Sequence, residues 1–269
     1  MQTSTPNSSP RLANIRLHPI KALDPISVTE AHIGPNGGLE LDRAWALYSA
    51  DGRWVNGKRT PAIHFLRAEY SEGLRRVTLS VPNDSRGIPA MSFAFPDDAE
   101  DAANWFSVYF EQPIIVRYAR EGFPDDTLAS GPTIVSTATL EKICEWFPGL
   151  PLEEARRRFR TTLEIEGVPA FWEDTLFADS EASVVRFKIG DIAFEGSNPC
   201  ARCPVPSRDS YTGEAIEGFQ KRFSDLRHAQ LPASSPAERF DHFYRLATNT
   251  RVPASDTGKV LRVGDLLMF

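Results

Sequence analysis

Cysteine is scarce in this chain, with three in 269 residues, too few for the disulfide framework of a small secreted scaffold. Positive charge is not in excess either. Thirty Lys and Arg stand against 36 Asp and Glu, for a net charge of −6. No global field favours nucleic acid or anionic lipid, so an anionic ligand would have to be met by a local basic pocket. The longest apolar runs fall well short of a membrane span, and the opening Met1 to Pro10 is polar rather than a signal segment. Repeats and long low-complexity tracts are missing. The five histidines (His18, His32, His64, His228, His242) show no ligand spacing. The chain reads as soluble and cytoplasmic, without a nucleic-acid partner, and is long enough for one large domain or two interlocked ones.

What is present is a strand-rich mixture of α and β. Residues 1–10 are expected to be a loose tail. From Ile15 to Tyr70 the pattern is strand and turn, punctuated by Gly34-Pro35-Asn36-Gly37-Gly38 and Asp51-Gly52. Asp97 to Phe110 predicts a helix burying Ala102, Trp105, Phe106 and Tyr109, and Ile114-Ile115-Val116 a buried strand. The segment from Glu121 to Pro132 is the best boundary. Beyond it, Ser136 caps a predicted helix with the stripe Leu140, Ile143, Cys144 and Phe147, and Pro151 opens a short helix through Arg158. Gly190-Asp191 is a hairpin signal, and Ser235-Pro236-Ala237-Glu238 predicts a late helix with a capping box. Val260 to Val263 and Leu266 to Phe269 read as a closing strand pair. The fold class is α+β, strand-rich and barrel-like.

The chemistry concentrates in Asn198-Pro199-Cys200-Ala201-Arg202-Cys203-Pro204-Val205-Pro206. Structural zinc needs about four ligands, and Cys144 belongs to a helical core stripe. A redox dithiol belongs at a helix N-terminus, which Pro206 disfavours here. Two loop cysteines without a role remain possible. A single thiolate ligand beside Arg202, whose charge favours the ionised form, suits a metal that is soft or already sulfur-bound.

Several basic positions stand out. If Leu39 to Leu47 is one strand, alternation puts Arg43 on a face with Leu39, Leu41, Trp45 and Leu47. Such an arginine needs either a carboxylate or a bound anion. Lys21, taken alone, reads as a solvated lysine. Arg156, Arg157 and Arg158 read as an exposed helical face supported by Glu153 and Glu154, with Arg160 beyond it.

Six short motifs in order give these positions a common reading: His18-Pro19-Ile20-Lys21, Asp42-Arg43-Ala44-Trp45, Arg158-Phe159-Arg160, Pro199-Cys200-Ala201-Arg202-Cys203, Asp209 to Gly213, and Val263-Gly264-Asp265. Over residues 11–269 the chain resembles the MOSC-domain proteins (molybdenum cofactor sulfurase C-terminal domain), with their N-terminal β-rich partner. In pattern it is similar to the amidoxime-reducing components. The resemblance implies a smaller N-terminal β-rich domain over residues 11–120 and a β-barrel-like MOSC core over 121–269. It implies a molybdopterin-type molybdenum cofactor with Cys203 as molybdenum ligand and catalytic thiolate. Lys21, Arg43, Arg160 and Arg202 would hold that cofactor, and Ser136 and Asn249 are further candidates near the cleft. Where relatives read Arg-Pro-Asn, this chain has Arg160-Thr161-Thr162, which exchanges an amide for a shorter hydroxyl at Thr162.

By the same resemblance the chain is an oxidoreductase reducing N-hydroxylated small molecules, with electrons from a separate ferredoxin-like or cytochrome-like protein. No iron–sulfur domain and no pyridoxal-phosphate domain are expected in it. Glu173 and Asp174 are candidate proton donors, or else loop caps and ion-pair partners. The alternative functions are a carrier of the cofactor or a sulfur-transfer module, and a member that binds no cofactor.

Overall fold

A computed structural model describes residues 9–269 apart from Glu72 and Asn83. Residues 1–8 of the expected tail lie outside the described residues, while the Pro10 carbonyl accepts the Leu267 N–H at 2.8 Å. The N-terminal part holds strands β1 (Arg11–Leu17), β2 (Ile26–Val28), β3 (Glu30–His32), β4 (Trp45–Ser49), β5 (Arg67–Ser71), β6 (Arg76–Ser80), β7 (Met91–Ala94) and β8 (Ile114–Tyr118). Helix α1 (Ala99–Phe110) lies between β7 and β8. The rest holds β9 (Ile134–Ser136), α2 (Thr137–Trp146), α3 (Leu152–Phe159), β10 (Leu163–Glu166), β11 (Val185–Ile189), β12 (Ile192–Ala201) and α4 (Phe219–Ala229). It closes with β13 (Arg245–Arg251), β14 (Val260–Arg262) and β15 (Leu267–Met268).

The expected strand-rich α+β class holds. One mixed sheet of eight strands runs β15-β11-β12-β13-β9-β10-β1-β2, with β9 and β10 parallel. Hydrogen bonding crosses the boundary expected near residue 120. β1 pairs antiparallel with β10, and β3 with β14. Separate small sheets, β4-β8 and β5-β6-β7, pack with α1 around a second core drawn from residues 20–114.

Helix α1 buries Ala102, Trp105, Phe106 and Tyr109, the face its spacing predicts, and carries Glu100 and Asp101 in its first turn. The Ser136 hydroxyl caps α2 by accepting the Thr139 N–H at 3.1 Å, a contact worth about 1 kcal/mol. The Gly190-Asp191 hairpin joins β11 and β12.

Four local expectations are corrected. Residues 39–47 are not one strand: Leu41 and Arg43 take left-handed φ of 66° and 52°, and β4 begins only at Trp45. The predicted late helix is a single 3-10 turn at Ala237–Arg239, and the long helix of this region is α4. The closing strands do not pair with each other, because β14 joins β3 and β15 joins β11. Arg156 to Arg158 are not a solvated face: Arg158 is buried between Glu154 and Asp209, Arg156 binds Glu164, and Arg157 binds Asp24.

Candidate functional site

The cysteine segment leaves the large sheet where the β12–β13 ladder is irregular. Between Pro199 and Ala201 the register slips, with Pro199 opposite Thr248 and Ala201 opposite Arg245. The extra residue lies on β13, where Ala247 has a φ of 72°. The Leu246 carbonyl turned out there accepts Nε of Arg202 at 2.9 Å and a second bond from the same guanidinium at 2.5 Å. A third donor of Arg202 reaches the Phe159 carbonyl at 2.9 Å. Arg202 therefore ties β13 to the end of α3 and holds the loop that carries Cys203.

Two cavities meet at this loop. The first, of about 240 Å³, is lined by Lys21, Arg43, Arg160, Arg202, Cys200 and Cys203. Its lining also includes Lys58, Arg67, Arg157, Arg158 and Arg208, so nine cations line it against the two carboxylates of Asp24 and Asp125. In a chain of net charge −6 this is the local basic pocket that composition alone could not place. The second cavity, of about 450 Å³, shares Arg43, Arg160, Cys200 and Arg202. Its lining adds hydroxyls and amides, among them Ser130, Thr133, Thr162, Asn198 and Asn249, and the acidic residues Asp42, Glu121, Asp125 and Asp126.

Most of the cations have carboxylate partners. Lys21 is not solvated: it pairs with Asp125 at 2.9 Å, donates to the Phe123 carbonyl at 2.8 Å and lies 4.5 Å from the Trp54 ring centroid. Arg43 pairs with its neighbour Asp42. Burial works against the charged form of Asp42, but Arg43 and His18 outweigh it and hold the carboxyl at about 2. Asp24 takes both Arg67 and Arg157.

Arg160 differs. It ends α3 with a left-handed φ of 51°, and among the described residues its one side-chain hydrogen bond goes to the Leu23 carbonyl at 2.8 Å. Among the described residues no carboxylate lies within ion-pair distance of it. Burial, and then the charge of Arg43, bring its pKa down to about 10. Arg43 and Arg160 are both non-glycine residues held at positive φ, a strain that clusters at functional sites. Behind them His18 is fully buried, and burial with the nearby charge of Arg160 lowers its pKa to about 3. It is neutral at every physiological pH.

Thr162 lines the second cavity with its hydroxyl buried and without a hydrogen-bond partner. Asn249, on β13, lines the same cavity and donates to Asp126 at 3.3 Å. Ser136 is not brought to the cleft. It is fully buried, and its hydroxyl is used at the start of α2 and against Thr139.

Glu173 and Asp174 line neither cavity. Glu173 accepts from the Thr139 hydroxyl at 3.0 Å and the Ser136 N–H at 3.3 Å, and burial, with Asp174 beside it, raises its pKa to about 7. Asp174 pairs with the buried Arg227 and accepts from Ser235. Both carboxylates are structural. The Asp209 and Asp265 motifs are turns: Asp209 caps the N–H groups of Tyr211 and Thr212 at 2.9 Å, and Asp265 that of Arg262 at 2.8 Å.

The sequence reading did not select Asp125, Asn198, Lys58, His64 or Arg208 as lining residues. Arg208 follows Cys203 closely enough to have been suspected. Asn198 opens the cysteine segment on β12, while Asp125, Lys58 and His64 come from parts of the chain distant in sequence.

Comparison of the sequence with known families gives a match in the N-terminal part. Residues 9–113 match the model of the MOSC N-terminal beta barrel domain. It is also similar to the human (Homo sapiens) molybdenum cofactor sulfurase, at 23% identity over 84% of this chain. The chain spans 31% of the length of that relative. Among the described residues no helix is long and apolar enough to cross a membrane.

Proposed function

We propose that the cleft binds a molybdopterin-type molybdenum cofactor, with the Cys203 thiolate as the protein's metal ligand, and that the chain reduces N-hydroxylated small molecules. The observation that carries this reading is the cation-rich cavity around Cys203, in which Arg160 has no carboxylate partner. An anionic phosphate ester would offset the cost of holding such a charge there. The name of the human relative points to the same cofactor.

The residues present fit the group. Arg160 and Arg43 would meet its phosphate, and Lys21 would do so on release from Asp125. The partnerless Thr162 hydroxyl, with Asn249 and Asn198, would meet the hydrogen-bonding edge of a heterocycle, so the exchange to threonine leaves a usable donor and acceptor. When bound, the cofactor supplies two-electron redox chemistry. The overall reaction takes a hydroxylamine, two electrons from a separate redox protein and two protons to the amine and water. Arg202 keeps the loop of Cys203 in register, and the bulge at Ala247 presents that loop to the cavity.

Metal and pterin analysis of protein from a cofactor-competent host tests this. Wild type should carry molybdenum and pterin and consume an amidoxime with a chemical reductant. Cys203→Ala should lose the metal and the turnover while folding normally, since Cys203 is only half-buried. Metal and pterin without turnover in the wild type would favour a carrier or sulfur-transfer module. That second reading draws on the human relative's name and on Cys200, a second thiol lining both cavities. Wild-type protein free of molybdenum would refute both.

A further inference from the structure

Among the described residues four cations of the first cavity lack a carboxylate partner: Arg160, Arg202, Lys58 and Arg208. The phosphate site just described uses Arg160, and Arg202 is bound to carbonyls, which leaves the exposed Lys58 and the half-buried Arg208. Among the described residues neither side chain has a hydrogen bond or ion pair, and both line the cavity. The two carboxylates of the lining are committed elsewhere, Asp24 to Arg67 and Arg157 and Asp125 to Lys21.

This wall is built rather than incidental. Arg208 is fixed by its N–H to the Val205 carbonyl at 2.9 Å and by a bridge to Ala215. The 56–60 loop is held by the Asn56 carboxamide, which accepts the N–H groups of Lys58 and Arg59 at 3.0 and 3.2 Å. His64 lines the same cavity, clamped by glycines. A Cβ on Gly57 would stand 3.0 Å from its Nε2, and one on Gly213, at a φ of 71°, would stand 3.2 Å from its ring. His64 is buried, and burial followed by the charges of Arg208 and Arg160 keeps its pKa below the usual value. Neutral His64 therefore adds shape to the wall and leaves the charge to Lys58 and Arg208.

We propose that Lys58 and Arg208 form a subsite for an anionic group, carboxylate or phosphate, carried by the substrate and distinct from the anion site at Arg43 and Arg160. This rests on the reductase reading. Arg208 follows Cys203 by five residues, most of them in a 3-10 turn at Val205–Ser207. Cys203, Lys58 and Arg208 all line this cavity, so the subsite and the thiol face one space. A small molecule that reaches from the thiol to this wall would carry both groups, so the substrate class is a small N-hydroxylated acid.

The test is a matched pair of ligands, benzamidoxime and 4-carboxybenzamidoxime, titrated by calorimetry against the full chain and then used as substrates. The carboxylate should bind about tenfold more tightly than the neutral compound, the effect of one or two charge-assisted hydrogen bonds. That ratio should fall to about one in K58A/R208A, and R208Q should lie between. K58A/R208A should bind the neutral compound as wild type does, which excludes misfolding, and a tenfold ratio that survives the double substitution overturns the proposal. Equal binding of the two ligands by wild type overturns it, as does a preference abolished by R160A and not by K58A/R208A. Selective binding without turnover of either compound would uphold the subsite and reject the reductase reading. Turnover with no preference would do the reverse. A phosphorus-to-molybdenum ratio near two, falling to one in K58A/R208A, would assign the anion to an enlarged cofactor and overturn its assignment to the substrate.

Discussion

Arg227 is buried and Arg160 is half-buried, and they are held in opposite ways. Arg227, on α4, is 1% exposed. It pairs with Asp174, and its guanidinium stacks 4.1 Å from the Phe171 ring centroid and 5.0 Å from that of Phe240. Its charge is compensated by the fold itself. Arg160 lies at the junction of two cavities with one carbonyl as partner, a left-handed backbone and the positive charge of Arg43 nearby. In a fold that pairs so many of its arginines with carboxylates, Arg160 at this junction keeps a place for an anion from outside. Burial alone does not distinguish a structural cation from a binding one; the location of its counter-ion does.

The comparison can be broken first at Arg227. Asp174→Ala would leave a buried, uncompensated guanidinium and should cost about 3–5 kcal/mol of unfolding free energy. Denaturant titration measures it, and a loss below about 1 kcal/mol would show that the pair is not what holds this region together. Glu173 beside it gives the next effect. Its proton is retained in the fold up to about pH 7, against an ordinary value of 4.5. Between those values the folded state binds more protons than the unfolded one, so this group makes stability fall as pH rises through that window. Glu173→Gln should remove the slope and raise stability at pH 8 by about 2–3 kcal/mol, as read from melts at several pH values. His18 contributes the opposite slope, because it stays neutral in the fold down to about pH 3. Its share of stability is lost as pH falls below 6.5, so the two titrations oppose each other in mildly acidic solution.

The smallest change in stability should come at Arg160. Arg160→Met gives up one bond to a carbonyl and relieves repulsion with Arg43, for a net change within about 1 kcal/mol. Its effect should appear in ligand retention instead, as molybdenum and pterin lost from the purified protein. Full retention would remove Arg160 from the site.

The elements read well from sequence are those whose signals are local. The stripe Ala102, Trp105, Phe106, Tyr109 repeats at the helical period, Ser136 lies three residues before the N–H it caps, and Gly190-Asp191 turns the chain within two residues. The failures come from pattern overridden by geometry. Leu39 to Leu47 alternates like a strand, yet Leu41 and Arg43 turn left-handed, which lets the Arg43 N–H reach the His18 carbonyl at 2.9 Å. The capping box at Ser235 looked helical, but its hydroxyl is spent on Asp174, on an element far away in sequence. Ser136 was correctly seen as a cap and wrongly expected near the cleft, for nothing in a sequence says which side of a strand end faces a cavity.

The sequence by itself determined the cysteine loop with its arginine, the positions of Lys21, Arg43 and Arg160, and a strand-rich chain able to carry them. All of these are covalent spacing or short-range periodicity. Only the tertiary structure decided which cations have counter-ions. Arg157 finds Asp24 across 133 positions and Lys21 finds Asp125 across 104, whereas Arg160, Arg208 and Lys58 find no carboxylate. Ion pairing between elements depends on how the sheet and the second core bring loops together, and local spacing carries no record of that.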